Sequence, residues 1–156
     1  KILWLKHGDL IGDDTDAHVD TLARFAPDNQ IIFQGCQDPE DDHFTDLSAM
    51  KEELSHLTNV NNKPYTLIEL PWPDAVFEAG TDQRLPATYA NFLFINGAVL
   101  LPIYGVKQDE LAIQVMTDAL PNHKIIPINC AVVVRQFGSL HCLTMQIPTT
   151  EQQGAL

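Results

Sequence analysis

The sequence predicts an α/β fold assembled from repeated units of two strands, a helix and a third strand. Three patterns support this prediction: two pairs of apolar strands joined by turn residues, an amphipathic helix after each pair, and a further apolar strand after each helix. With 156 residues, 45% of them hydrophobic, the chain can bury the core of about one domain. A single unit leaves apolar faces open, so neighbouring units must cover them.

The first predicted unit begins after an acidic loop. Residues 18–25 alternate as a strand does, residues 27–29 signal a turn, and residues 30–33 return as a second strand. Apolar residues at three- and four-residue spacing predict an amphipathic helix over residues 44–57. Residues 65–70 then predict the third strand, which is ended by prolines.

The second predicted unit repeats this order. Residues 91–95 and 98–103 are apolar runs joined by an Asn-Gly pair, the strongest short signal for a hairpin. A helical pattern follows over residues 111–120, and residues 124–128 predict the third strand. The same order of elements is therefore expected twice.

Both ends of the chain carry further expectations. Residues 2–5 are strand-like directly after Lys1, so we expect the chain to be part of a longer one. A third unit is expected over residues 139–147, with a flexible polar tail at 149–156, so the partial domain spans residues 1–148. The open edge of a half unit favours association with another copy or with the missing N-terminal half.

The charge of the chain argues against nucleic acid or an anionic membrane surface as a partner. The formal net charge is -12 and the sequence pI is near 4.6, which suits a small cationic substrate. No apolar run approaches the roughly 20 residues of a membrane span. Three scattered cysteines are too few for a disulfide framework and indicate a reducing compartment such as the cytoplasm; Cys36 and Cys130 are expected to be structural.

Cys142 is the candidate nucleophile. It lies beside His141 in the strand-like run of residues 139–144, and alternation along a strand would point the two side chains in opposite directions. A base should therefore come from elsewhere, and His18 and Asp20 are spaced to share one strand face. The structural alternatives stay open, because a lone cysteine in an apolar strand is commonly a small buried hydrophobe and a lone histidine a satisfied core residue.

Three candidate residues occupy equivalent places in the repeats. His18, Asn91 and Cys142 each lie at or next to the start of the first strand of a copy. If the copies are related by rotation about an axis, these side chains converge on it. They should then lie within about 10 Å of one another, because catalytic groups must share hydrogen bonds or one substrate.

The acidic loop is a candidate calcium site, but the spacing of its residues argues against one. Its four aspartates form either a solvated loop or a calcium site, but the run lacks the central glycine and the terminal glutamate of an EF-hand loop. We therefore expect no metal and no cofactor. The aspartates concerned are Asp9, Asp13, Asp14 and Asp16.

Four motifs together resemble the agmatine deiminase family, relatives of the bacterial peptidyl-arginine deiminases. They are Gly-Asp-Asp-Thr-Asp-Ala-His-Val-Asp at residues 12–20, Leu-Pro-Ala-Thr-Tyr-Ala-Asn-Phe at 85–92, Asn-Gly-Ala-Val-Leu-Leu-Pro at 96–102 and Gly-Ser-Leu-His-Cys-Leu-Thr at 138–144. Their order and approximate separations match across nearly the whole chain. The resemblance implies a β/α propeller of the guanidine-modifying (pentein) type, with about two and a half of its five modules present.

The resemblance also implies roles for individual residues. Cys142 matches the nucleophile, His18 the general acid/base, and Asp20 a carboxylate that grips the substrate guanidinium. Asn91 matches a substrate-site asparagine of the peptidyl-arginine branch, and Asp14 is a further candidate for substrate binding.

Two segments depart from the family's pattern. Ala17 stands where the acidic motif usually has glycine, and residues 136–139 replace a run of glycines, so backbone approach to the substrate is expected to differ. The family also takes a second guanidinium-binding aspartate and a further acidic residue from the first half of its chain, before the position that matches Lys1.

The implied reaction is hydrolysis of a guanidino group by a cysteine nucleophile, with agmatine giving N-carbamoylputrescine and ammonia. Arginine or peptidyl-arginine is the alternative substrate. The non-enzymatic alternative is a catalytically incomplete piece that only binds guanidinium or associates with its missing half.

Overall fold

The computed structural model of the chain describes residues 1–13 and 18–147. Two three-stranded sheets of the same design lie within these residues. In each sheet the first two strands pair antiparallel, a helix follows the second strand, and the third strand pairs parallel with the second. The two predicted units are therefore present, and the number of such modules in the whole propeller stays a prediction.

The first unit consists of β1 (Ala23–Ala26), β2 (Gln30–Gln34), α1 (Phe44–Ser55) and β3 (Thr66–Leu70). The turn between β1 and β2 places Asp28 and Asn29 at positive φ angles of 59° and 61°, which these residue types tolerate better than most. The helix buries Leu47, Met50 and Leu54, the three- and four-residue spacing that predicts it.

A short hairpin connects the two units. It pairs β4 (Val76–Phe77) with β5 (Arg84–Leu85) in antiparallel fashion. Strands of two residues carry no periodic pattern, so the sequence gives no signal for them.

The second unit consists of β6 (Leu93–Ile95), β7 (Ala98–Ile103), α2 (Asp109–Ala119) and β8 (Lys124–Asn129). Gly97 turns β6 into β7 with a φ of 73°, a left-handed conformation that glycine adopts without a Cβ penalty. The predicted hairpin, helix and third strand are thus all present, with ends shifted by no more than two residues.

Strand β2 contributes to two hydrophobic cores at once. Its Ile32 belongs to the core that also contains Val99 of β7 and Met116 of α2, whereas its Ile31 and Phe33 pack in the core under α1. Successive side chains of a strand point to opposite faces. The neighbouring units therefore cover one another's apolar faces, as the repeat predicts.

The strand predicted over residues 139–144 is wrong. His141–Leu143 form a 3-10 helix, and no strand lies between residues 130 and 147. The cause is tertiary, because the backbone N–H groups of His141 and Cys142 donate to the side chain of Asn91 at 2.8 Å and 3.2 Å instead of to a neighbouring strand. The expected third copy therefore has no strand among the described residues.

The strand predicted from His18 begins later than expected. A 3-10 helix, Val19–Thr21, precedes β1. It is closed by the N–H and the hydroxyl of Thr21, which both donate to the His18 carbonyl, at 3.1 Å and 2.8 Å. The prediction that His18 and Asp20 share one strand face is therefore wrong.

The N-terminal segment lies against α1 without forming the strand expected at residues 2–5. The backbone N–H groups of Lys6 and His7 donate to the Glu53 carboxylate at 2.8 Å and 3.3 Å, so helix side chains take the place of a strand partner. The polar tail at 149–156 lies outside the described residues. In the described part of the chain, no helix combines the length and apolar character needed to cross a membrane.

The carboxylate of Asp41 connects the loop before α1 to residues before and within the β4–β5 hairpin. Its carboxylate accepts hydrogen bonds from Nδ1 of His43 at 2.6 Å, Nε1 of Trp72 at 2.9 Å and Nη2 of Arg84 at 3.0 Å. Nδ1 of His43 carries the proton because Nε2 accepts the Ile11 N–H at 2.9 Å. Burial alone would raise the pKa of Asp41, but its hydrogen bonds outweigh burial and hold that pKa far below its usual value.

Asp41→Asn is expected to destabilise the fold by about 3 kcal/mol, because the partly buried Arg84 loses its counter-charge. A carboxyl whose pKa folding lowers contributes stability above its unfolded pKa, and that stability is lost as the pH falls through the folded value. The unsubstituted chain should therefore lose stability below about pH 4, and the variant should lose less. Urea unfolding at pH 7 and pH 3 measures both differences; equal stability at pH 7 would contradict the role of Asp41.

Candidate active site

Three separate segments bring Asp20, Asn91 and Cys142 together. Asp20 lies in the 3-10 helix before β1, Asn91 lies just before β6, and Cys142 lies in the last 3-10 helix. Nδ2 of Asn91 is 3.3 Å from Sγ of Cys142 and 3.1 Å from Oδ2 of Asp20. Sγ of Cys142 is 3.6 Å from the same Asp20 oxygen. The exposed thiol therefore stands beside a carboxylate and a buried amide.

Asn91 holds the turn that carries the thiol. It is fully buried, and its Oδ1 accepts the N–H groups of His141 and Cys142. Its Nδ2 donates to Asp20 and to the cysteine sulfur. All its polar atoms are thus used within the protein. This geometry fits a residue that positions the thiol better than the substrate contact expected from the sequence.

His141 lies inside this cluster, contrary to the prediction that it points away from Cys142. Its Nδ1 is 2.6 Å from Oδ2 of Asp20. A 3-10 helix has three residues per turn, so neighbouring side chains are about 120° apart rather than on opposite faces, and both can reach one carboxylate. Strand alternation fails here because residues 139–144 form no strand.

The two oxygens of Asp20 have different surroundings. Oδ2 accepts hydrogen bonds from His141, Asn91 and Cys142, whereas Oδ1 is buried and has no hydrogen-bond partner among the described residues. Burial by itself would raise the pKa of Asp20, but the hydrogen bonds and the positive charge of His141 outweigh it, and the pKa lies below its usual value. The site therefore offers an ionised carboxylate with one unused acceptor.

His18 lies two residues before Asp20 and is not hydrogen-bonded through its ring to the cluster. Its side chain is exposed, and no hydrogen bond or ion pair joins its ring to another described residue. Asn91 and Cys142 converge as predicted, with Nδ2 and Sγ 3.3 Å apart, and the convergence of His18 with them stays a prediction. Asp14, the further substrate-binding candidate, lies outside the described residues, as does Ala17.

Arg24 of β1 is a charged neighbour of the site that sequence reasoning missed. Its Nη1 donates to the Phe92 carbonyl at 2.8 Å, and its guanidinium lies 5.2 Å from the centre of the Phe92 ring. Burial lowers the pKa of Arg24, although the charges of Asp20 and Cys142 act in the opposite direction. The arginine adds positive potential close to the thiol. In the sequence, the position of Arg24 in an alternating strand was the one signal that could have indicated this role.

The described residues offer no metal centre. Among them, no group of three or more His, Cys, Asp or Glu side chains is arranged to hold a metal ion. Of the four loop aspartates, Asp14 and Asp16 lie outside the described part. Cys36 and Cys130 are buried free thiols whose pKa burial raises, as expected of structural cysteines.

The fold and its relatives define the class of the protein. The mixed α/β arrangement of two sheets has structural neighbours of the pentein type, which comprises deiminases and amidinotransferases. The chain belongs to the Porphyromonas-type peptidyl-arginine deiminase family, whose model matches residues 1–148. This match confirms the resemblance expected from the four motifs.

Individual relatives include enzymes with two related names. The chain is 49% identical to a Porphyromonas gingivalis protein provisionally named an arginine deiminase, with a TM-score of 0.88 over 94% of this chain and 42% of that one. It is 47% identical to a substrate-bound cysteine-to-serine variant of the agmatine deiminase of C. jejuni, with a TM-score of 0.79 over 88% and 39%. The agmatine deiminase of Pseudomonas fluorescens is 27% identical over 95% of this chain and 44% of its own length.

The chain thus spans less than half the length of these relatives.

Proposed function

We propose that the chain supplies the cysteine side of a guanidino-hydrolysing active site, and that the whole protein converts agmatine to N-carbamoylputrescine and ammonia. The observation that carries this proposal is a thiol beside a carboxylate that has one unused oxygen. Sγ of Cys142 is 3.6 Å from Oδ2 of Asp20. Oδ1 of Asp20 is buried and has no hydrogen-bond partner among the described residues.

The unused oxygen of Asp20 suits a guanidinium group. A guanidinium presents planar N–H donors in a fixed fork and stays protonated at any physiological pH. A buried acceptor without a donor is costly, so an N–H group of the substrate would remove that cost and add a charge-assisted hydrogen bond. Because the pKa of Asp20 is lowered, its carboxylate is ionised and ready to bind at neutral pH.

The cationic substrate would also favour the reactive form of Cys142. A cysteine thiol is only slightly ionised at neutral pH, and a thiolate beside Asp20 would be opposed by the carboxylate charge. A bound guanidinium neutralises that charge, while Nδ2 of Asn91 donates a hydrogen bond to the sulfur. Substrate binding and thiol ionisation are therefore expected to assist each other.

The chemical steps combine the Cys142–Asp20 arrangement with the acid/base role that the family resemblance implies for His18. The Cys142 thiol loses its proton to solvent, the thiolate forms a bond to the central guanidinium carbon, and the C=N π electrons move to nitrogen, which gives a tetrahedral adduct. One C–N bond then breaks, and His18 donates a proton to the departing ammonia. Water activated by the same imidazole adds to the carbon, the C–S bond breaks, and the ureido product leaves with the thiol restored.

Agmatine is the substrate that the charge of the chain favours. It carries two positive charges, and a net charge of -12 steers cations toward the protein. The names of the C. jejuni and P. fluorescens relatives point the same way. Peptidyl-arginine is the second candidate, because it is named in the description of the matched family.

Ammonia release tests this function and the choice of substrate. The protein expressed at the full length of its gene is incubated with agmatine, arginine and an arginine-containing peptide, beside the 156-residue chain alone. We expect the highest kcat/KM with agmatine and no activity from the chain alone, because Asp20 is the one carboxylate bonded to Cys142 in the described part. Failure to release ammonia from any of the three compounds would overturn the proposal.

Two histidines compete for the acid/base role, and matched variants separate them. His18→Gln is expected to lower kcat by about 100- to 10,000-fold, the usual contribution of a general acid/base. His141→Gln should change kcat by less than about tenfold and act mainly on KM, because His141 bonds the substrate-binding carboxylate. The measurement is kcat and KM for ammonia release in both variants. A larger loss of kcat in the His141 variant would assign proton transfer to His141 instead.

A further inference from the structure

A hydroxyl group buried below the site joins the segments that carry its residues. Tyr104 follows β7 and is almost fully buried. Its Oη donates to the Thr88 carbonyl at 2.8 Å and accepts the Thr88 N–H at 3.2 Å. Oη is also 2.8 Å from Oγ of Ser139. Since the single proton of Oη is used on Thr88, Ser139 is the donor in the last bond.

Both partners of Tyr104 lie three residues before a site residue. Thr88 precedes Asn91, and Ser139 precedes Cys142. The tyrosine hydroxyl is therefore a direct bridge between the backbone that leads to the buried amide and the side chain that leads to the thiol.

The segment that carries Asp20 is connected to Thr88 as well, through the side-chain hydroxyl of the threonine. Oγ1 of Thr88 donates to the carbonyl of Thr21 at 2.7 Å and accepts the Ala90 N–H at 3.1 Å. Thr21 directly follows Asp20. The threonine side chain thus holds the backbone next to Asp20, and the tyrosine hydroxyl holds Ser139 in the segment that leads to Cys142.

We propose that Tyr104 is a positioning residue, whose hydroxyl fixes the turn of Cys142 against Asn91 and so sets the place of the thiol over the substrate carbon. The inference rests on the proposed guanidino-hydrolase function. Small displacements of reacting atoms have large effects, and a shift of about 1 Å can lower a rate 100-fold. Loss of the hydroxyl would release Ser139 while leaving the Thr88 bond to Thr21 intact.

Tyr104→Phe removes all three hydrogen bonds of this bridge, two to the Thr88 backbone and one to Ser139, and keeps the aromatic ring. The ring keeps its contact with Tyr89, whose centre lies 5.9 Å away. In the full-length protein we expect kcat to fall about tenfold, because the thiol is partly misplaced. KM should stay within about twofold, because the hydrogen bond from Thr88 to the Thr21 carbonyl, next to Asp20, remains. The rate of Cys142 alkylation by iodoacetamide should fall as well, and its pH profile should change because the Asn91 hydrogen bond to the sulfur loosens.

Tyr89→Phe is the matched control. Tyr89 is also fully buried, and its hydroxyl donates at 2.7 Å to Asp109, which also accepts the backbone N–H of Tyr104 but is not bonded to Ser139. This variant loses a buried hydrogen bond to a carboxylate, so its stability should also fall. Its kcat and alkylation profile should stay within about twofold of the unsubstituted protein.

Ser139→Ala removes the other end of the bridge and should reproduce the effect of Tyr104→Phe. The double variant should lose no more kcat than either single variant, because residues that act through one bond are not additive. Unchanged kcat and alkylation in Tyr104→Phe, or additive losses, would overturn the inference. If the unsubstituted protein releases no ammonia, the proposed function fails, and the alkylation profile alone still decides the role of Tyr104.

Discussion

Replacing Cys142 with serine is expected to lower ammonia release by at least about a thousandfold. The serine hydroxyl stays protonated where the thiol can ionise, and a weak nucleophile attacks the guanidinium carbon poorly. Enzymes that lose a covalent nucleophile show losses of this size or more. Because serine is close to cysteine in shape, the backbone hydrogen bonds from His141 and Cys142 to Asn91 should persist, and calorimetry should still detect agmatine binding.

Cys36→Ser provides the control for this variant. Cys36 is a buried thiol whose sulfur lies 3.7 Å from the Asp38 carbonyl, outside the cluster around Asp20. Ammonia release per folded molecule should stay within about twofold. If Cys142→Ser keeps more than about a tenth of the activity, the nucleophile is not Cys142.

Replacing Asp20 with asparagine is the second large change, with an expected loss of about 30- to 5,000-fold in kcat/KM. Removing one partner of a charge-assisted pair commonly costs 2–5 kcal/mol, which corresponds to about this range. The asparagine also presents N–H donors where the guanidinium needs acceptors. Measured kcat and KM for agmatine should show a large rise in KM.

The pKa of Asp20 gives this effect a pH dependence. Folding lowers that pKa below 3.8, so the carboxylate and the stability it contributes are present above the unfolded value and are lost as the pH falls through the folded one. The effect of Asp20→Asn on KM should therefore be constant between about pH 5 and pH 8. Asp74→Asn is the control, because Asp74 bonds Lys107 and Gln108 on the surface; a similar loss there would contradict a specific role of Asp20.

Much of the fold was accessible from local patterns. Residues 98–103 form a strand with the predicted bounds, since an Asn-Gly turn and six apolar positions agree on it. The strand expected over 139–144 does not form, because the backbone N–H groups of His141 and Cys142 donate to the side chain of Asn91. A single buried amide, distant in sequence, thus decides whether that segment is a strand or a turn, and no window of sequence contains both.

The site could be predicted only in part, again because its contacts join residues that are distant in sequence. The repeat and the resemblance pointed to Asp20, Asn91 and Cys142, which lie together in the structure, while their chemical roles stay predictions. Strand alternation misplaced His141, because the argument depended on a strand that does not form. Tyr104 was missed altogether, since a tyrosine after an apolar strand looks like ordinary core packing until its three hydrogen bonds are known.

Trapping the covalent intermediate tests the role of Cys142 most directly. The full-length protein is quenched with acid during turnover of agmatine, and its cysteine-containing peptides are mapped by mass spectrometry. We expect an amidino adduct on the peptide of Cys142, and no adduct after the Cys142→Ser substitution. Turnover without any adduct at Cys142, or with an adduct on Cys36 or Cys130 instead, would contradict the proposed mechanism.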